Sequence, residues 1–333
     1  SANGSYDTGC RMGSRLPVTR QSGPHRRSRV TSMELQPLNE APEWFQEALA
    51  VPYEDRIVHV DGAAVHYLTW GKVGAPGLVF IHGGGAHAHW WTHVAAQFAD
   101  RYRVGAIDLT GHGDSDHRDV YSMAQWADEV MAVCEGLGCA GPPVIVGHSM
   151  GGFVSIVTSA LHGHRLAGVI VVDSPVNRPD PEVDAARSGD AFGKPKVYLD
   201  AESALERFRT VPEQAHYEPF VMDNVARRSL KQVGGGFGWK FDRNVFGAVE
   251  HPRTAARPYL SEVRTRLALL AAEHGLVTPE VGRYMYEQLG RVAPVIELPQ
   301  SGHHPMLDVP LVLLTAVRTL LADWEHSVPF TRE

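Results

Sequence analysis

Apolar residues along this chain fall into short unbroken runs, separated by longer stretches in which they return every three or four positions. The unbroken runs are Leu78-Val79-Phe80-Ile81, Arg103–Ile107, Val144-Ile145-Val146, Leu166–Val172, Leu267–Ala271 and Val295–Leu298. Continuous runs of this length, rich in β-branched residues, predict strands buried on both faces. Helical periodicity covers Pro42–Leu49, Trp90–Phe98, Tyr121–Leu137, 149–162, Pro279–Leu289 and Val309–Trp324. Arg56–Gly62 and Ala64–Trp70 alternate in polarity about Asp61-Gly62, which is a hairpin signal. The pattern predicts an α/β architecture: a mostly parallel eight-stranded sheet, helices on both faces, and ligands outside the carboxyl ends of the strands.

The alternation breaks between Asn177 and Leu260. This stretch holds Pro179, Pro181, Pro195, Pro212 and Pro219, the run Gly234-Gly235-Gly236, and the aromatics Phe192, Tyr198, Phe208, Tyr217, Phe220, Phe237, Trp239, Phe241 and Phe246. It is too apolar for a linker and too long for a loop. The expectation is a mostly helical lid over 177–260, inserted between two core segments, 33–176 and 261–333. Residues 1–32 lack apolar periodicity and contain Met12-Gly13-Ser14 of the kind left by expression vectors. They read as an expression tag, with Met33 as the natural start.

The chain carries a net charge of −7, and without the six arginines and one aspartate of 1–32 the remainder stands at −12. So negative a surface argues against nucleic acid or an anionic membrane as partner. Cys134 and Cys139 have no metal-type spacing and read as reduced packing residues, as expected of a cytoplasmic protein. No apolar run reaches the roughly 18 residues of a membrane span. Oligomeric state is not legible.

One stretch carries chemistry. The run Val144-Ile145-Val146 leads into Gly147-His148-Ser149-Met150-Gly151, and an apolar helical segment opens directly after it. A strand that turns this abruptly into a helix puts Ser149 at a strained apex, with Gly147 and Gly151 letting strand and helix approach. The helix N-terminus beneath the serine offers free N–H groups where a negative oxygen would develop.

Four motifs in order, His82-Gly83-Gly84-Gly85, Asp108–Ser115, Gly147–Gly152 and Gly302-His303-His304-Pro305, make the chain from about Glu54 to Trp324 resemble the α/β-hydrolase family, in particular its lid-bearing serine esterases. The resemblance implies Ser149 as nucleophile and His303 as its base, with His304 as rival, turned away as a packing residue. It also implies an oxyanion hole from the N–H of Met150 and that of Gly84, or alternatively Gly85. Family members mostly carry the triad acid after the strand at Leu267–Ala271, but His274 stands there, and a histidine cannot steady an imidazolium by charge. Asp173, at the end of the preceding strand, is the leading candidate, with Glu273 as the alternative acid. The function implied is hydrolysis of a small carboxylic ester through an acyl-enzyme, with no cofactor. An uncharged or apolar ester is expected, because the lid shows aromatics and little focus of positive charge. Lactonase, amidase, thioesterase, carbon–carbon bond hydrolase and cofactor-free haloperoxidase chemistry share the fold, as would a non-enzymatic ligand receptor. The family's epoxide hydrolases and haloalkane dehalogenases use an aspartate nucleophile, which Ser149 disfavours.

Remaining features weigh less. His82, His87, His89 and His93 crowd one loop without a carboxylate in the same turn, and read as loop anchors rather than metal ligands. Asp108 reads as scaffold. Trp90, Trp239 and Phe237 are candidate pocket walls, and Trp91 is a packing residue.

Overall fold

The structure, a computed structural model, describes residues 40–180, 196–246 and 252–327; the reading of 1–32 as a tag lies outside them. The apolar runs form one sheet from β1 (Glu54–Val60), β2 (Ala63–Trp70), β3 (Pro76–Ile81), β4 (Arg103–Ile107), β5 (Ala140–His148), β6 (Gly168–Val172), β9 (Leu267–His274) and β10 (Val295–Gly302). β7 (Leu230–Val233) and β8 (Gly236–Trp239) make a separate hairpin. The sheet order is β1-β2-β4-β3-β5-β6-β9-β10. β2 runs antiparallel to both β1 and β4, and every other pairing is parallel. The fold class read from the polarity pattern is the one observed. Asp61 and Gly62 both take positive φ, 46° and 79°, giving the two-residue turn that joins β1 to β2.

The helices are α1 (Glu43–Ala50), α2 (Thr92–Ala95), α3 (Met123–Gly136), α4 (Met150–His162), α5 (Ala201–Leu205), α6 (Pro219–Arg228), α7 (Pro252–Leu260), α8 (Pro279–Gln288), α9 (Pro305–Asp308) and α10 (Pro310–His326). Successive strand residues point to opposite faces, so each apolar run feeds two cores. Leu78, Phe80, Val144, Val146, Ile170 and Val172 pack with Phe45 of α1, Val94 of α2 and Leu313 and Val317 of α10. Val79, Ile81, Ile145, Val169 and Val171 pack with Trp126 of α3, Ile156 of α4, Ala256 of α7 and Met285 of α8. Burying a side chain of this size contributes about 1.5–3 kcal/mol, which is why no polar alternation is visible in the central strands. Helix starts follow the local chemistry. Ser122 caps α3 by accepting from the N–H of Gln125, and Thr278 caps α8 by accepting from that of Val281, with Pro279 at the first helical position.

The described parts of 177–260 are mixed rather than mostly helical. Gly234 and Gly235, at φ 53° and 84°, turn the chain back on itself between β7 and β8, a hairpin that the helical expectation did not contain. The last helix of the stretch, α7, packs through Ala256 and Leu260 into the core shared with α4. Among the described residues, no helix is long and apolar enough to cross a membrane.

Candidate active site

Parallel strands deliver their carboxyl ends to one edge of the sheet. The end of β3 carries His82–Gly85, β5 carries Ser149, β6 carries Asp173, and β10 carries His303. Ser149 sits at φ 53°, ψ −116°, a left-handed conformation that a non-glycine residue adopts only under constraint. Its N–H donates to the Val172 carbonyl at 3.0 Å, pinning the turn to β6. A Cβ on Gly151 would lie 2.5 Å from the carbonyl oxygens of Ile81 and His82, so only glycine lets α4 start this close to β3.

Ser149 Oγ lies 3.0 Å from His303 Nε2, and His303 Nδ1 lies 2.6 Å from Asp173 Oδ2. Residues 154 and 130 positions apart in sequence are thereby joined in one line of hydrogen bonds. The Asp173 carboxylate also accepts from the backbone N–H groups of Ala272, Leu276 and Val277. Burial raises its pKa, but the hydrogen bond and charge of His303 and the backbone donors outweigh burial and hold it below the ordinary aspartate value. The loop after β9, which lacks an acid of its own, thus supplies N–H donors to the acid of β6. Gly275 in that loop leaves the room: a Cβ there would stand 2.3 Å from Asp173 Oδ2. The alternative acid, Glu273, is not part of this assembly. It faces outward, accepting from the Gln300 N–H, with His274 at 3.8 Å.

The His303 loop is held from several sides. His148 Nε2 lies 2.7 Å from the His303 carbonyl, and burial followed by the neighbouring His303 charge pushes the His148 pKa down, keeping that ring a neutral donor. Gln214 accepts the His304 N–H and donates to Asp308, which in turn accepts from the Gly302 N–H. His304 points its Nε2 to the Pro212 carbonyl rather than to Ser149, yet its ring lines the cavity instead of turning away as expected. Sequence reasoning passed over His148, Gln214 and Asp308. Only His148 carried a signal, its place beside the serine.

Gly84 and Gly85 line the same cavity as Ser149, and Met150, as the first residue of α4, has no intrahelical acceptor for its N–H. The histidines of the β3 loop anchor it. His82 donates from Nδ1 to the Gly83 carbonyl and accepts the Leu109 N–H at Nε2. His87 meets Ser229, His89 meets Thr92, and His93 meets the Met306 carbonyl. Asp108 ties this loop to the next by accepting from the N–H groups of Ala88 and Asp114 and from His66. Among the described residues, the side chains that could hold a metal ion are elsewhere: His148, His303 and His304 in one group, and His66, Asp108 and Asp114 in another. Both ring nitrogens of His303 are already engaged.

The cavity beside Ser149 measures about 280 Å³. One wall is aromatic: Trp90 stands 5.6 Å from His304 and 6.4 Å from Phe208, Phe208 is 5.5 Å from Trp239, and Trp239 is 5.8 Å from Tyr198. Two expected pocket walls, Trp90 and Trp239, line it, and Trp91 packs on Phe80 in the core. The third, Phe237, is not among the lining residues: it shares a face of β8 with Trp239 but sits two residues earlier along the strand, where its backbone pairs with Tyr198. The expectation of little positive charge is overturned: Lys196, Arg207, Arg209, Lys240 and Arg243 all line the cavity.

A serine–histidine–aspartate line at the carboxyl edge of such a sheet defines an α/β hydrolase, and the chain belongs to that family: the model of the alpha/beta hydrolase family matches residues 78–316. Among its relatives is an esterase of Mycobacterium tuberculosis, 25% identical over 80% of this chain and 89% of the relative. Mouse epoxide hydrolase 4 is 28% identical over 34% of this chain, and the match spans only 32% of that enzyme. The solved structure of E-2-(acetamidomethylene)succinate hydrolase superposes with a TM-score of 0.70 at 19% identity, over 81% of this chain and 100% of the other.

Proposed function

We propose that this protein is a serine hydrolase that cleaves carboxylic esters through an acyl-enzyme. The observation that carries the reading is the 3.0 Å approach of His303 Nε2 to Ser149 Oγ, with Asp173 2.6 Å behind the ring. A serine hydroxyl is a poor nucleophile until a positioned base takes its proton. His303 takes it as Ser149 Oγ attacks the carbonyl, and Asp173 stabilises the imidazolium. The N–H groups of Gly84 and Met150 receive the developing oxyanion, a contribution worth about 10²–10³ in kcat per donor. His303 then hands its proton to the departing alcohol, and water, deprotonated by the same ring, releases the acid.

The esterase of M. tuberculosis supports ester chemistry over the length of the chain. A serine at the elbow, where the family's epoxide hydrolases use an aspartate, argues against epoxide opening despite the partial match to mouse epoxide hydrolase 4. A cytoplasmic, reducing location fits the free thiols of Cys134 and Cys139. The stretch around the cavity serves as a lid in this reading, through Tyr198, Phe208 and Trp239.

Turnover of 4-nitrophenyl butyrate, and formation of a covalent fluorophosphonate adduct on Ser149, test the proposal. Both are expected in the wild type and neither in Ser149→Ala. Binding of esters without product release by the wild type would make the protein a receptor on a hydrolase fold and end the enzymatic reading.

A further inference from the structure

A chain with net charge −7 surrounds this cavity with five basic side chains, and no aspartate or glutamate is among the described residues that line it. Two of the five are committed elsewhere. Lys240 pairs with Asp114 at 2.6 Å, and Arg209 donates to the carbonyls of Glu206 and Phe208 in its own turn. The other three are not. Among the described residues, Arg207 and Lys196 have no carboxylate partner, and the buried Nε of Arg243 has no acceptor. Arg243 opens the turn Arg243–Phe246, whose Phe246 ring would lie 3.0 Å from a Cβ on Gly84. An unsatisfied guanidinium N–H therefore belongs to the turn packed against the loop proposed to hold the oxyanion.

Leaving such a donor buried and unpaired forfeits the hydrogen bond it made to water. A concave site of one sign, walled by low-dielectric aromatics, focuses field on whatever enters. Both effects favour an anion. A planar guanidinium fork matches a carboxylate better than a point charge does. The aromatic wall from Trp90 to Tyr198 leaves the rest of the ligand apolar.

We infer that the substrate is an ester bearing a second, ionised carboxylate away from the scissile bond, which Arg243, Arg207 and Lys196 receive while the aromatic wall covers the carbon chain between. The inference rests on the hydrolase reading and narrows its substrate class; it replaces the uncharged ester expected from sequence.

Matched pairs test it. Mono-4-nitrophenyl glutarate against 4-nitrophenyl pentanoate places the carboxylate on the acyl side, and 4-acetoxybenzoate against phenyl acetate places it on the leaving group. In at least one pair, kcat/KM for the anion is expected to exceed that for the neutral ester tenfold or more. That ratio should fall severalfold in 0.5 M NaCl and at least fivefold in Arg243→Gln and in the surface variant Arg207→Gln, which leaves no packing to lose. Arg101→Gln, paired with Glu325 outside the cavity, should leave the ratio unchanged. Equal or better turnover of the neutral ester in both pairs overturns the inference. Should no ester be turned over at all, the hydrolase reading fails, and calorimetry with glutarate on the Ser149→Ala protein decides the site. Salt-sensitive binding lost in Arg243→Gln upholds the carboxylate site, and absence of binding removes it.

Discussion

Replacing Gly275 by alanine would put one carbon 2.3 Å from Asp173 Oδ2, 2.5 Å from Oδ1 and 2.6 Å from Cγ. Gly275 does not occupy a left-handed backbone region, so alanine itself is unstrained and the collision is the whole perturbation. Carbon and oxygen atoms at such separations are far inside repulsion, and the carboxylate must retreat by at least about 0.7 Å to reach a tolerable 3.0 Å. That displacement is large against a hydrogen bond of 2.6 Å to His303. Misplacing a catalytic group by about 1 Å costs on the order of 10² in rate, and depriving a triad histidine of its carboxylate costs about 10⁴. Gly275→Ala is therefore expected to lower kcat for 4-nitrophenyl butyrate by between about 10² and 10⁴, with KM changed by no more than about threefold. The N–H bonds from Ala272, Leu276 and Val277 are disturbed together, which costs about 2 kcal/mol of stability, read as a lower melting temperature. A folded Gly275→Ala protein with kcat within threefold of wild type would refute the claim that this glycine makes room for the acid.

Asp173→Asn should lower kcat about 10³- to 10⁴-fold while Glu273→Gln leaves it unchanged; the opposite pair of results would move the acid to the β9 loop. Asp108→Ala removes the acceptor of Ala88, Asp114 and His66 at once, and should destabilise the fold by about 3–5 kcal/mol in urea unfolding. A loss under about 1 kcal/mol would mean that the two loops hold without it. Burial raises the Asp108 pKa, but the His66 hydrogen bond and the nearby histidine charges outweigh it and hold the value well below the ordinary range. Its stabilisation is accordingly present at pH above the ordinary aspartate value and is lost as the solution is acidified below it. Asp308 has the opposite sign. Burial pushes its pKa up to about 6, so the folded state favours the protonated form and stability falls as pH rises from about 4 through 6. Asp308→Asn, which keeps an oxygen for the Gly302 N–H, should raise the melting temperature at pH 8 more than at pH 4. Equal shifts at both would show that Asp308 is not a strained carboxylate.

Much of this protein was legible in the residue order, because the signals involved are local. Unbroken β-branched runs can only be strands covered on both faces, Asp61-Gly62 can only be a tight turn, and glycines either side of Ser149 permit a strand-to-helix reversal that few other residues tolerate. Tertiary structure decided what depends on residues meeting across the fold. Asp173 and Glu273 are both carboxylates at strand ends, and nothing local distinguishes them. What sets Asp173 apart is that β6 and β9 are neighbours, that three backbone donors converge on it, and that Gly275 leaves space beside it. The cavity's charge is a matter of the same kind. Lys196, Arg207 and Arg243 stand in plain view in the sequence, but only tertiary packing, not composition, brings them to line the same cavity as Ser149.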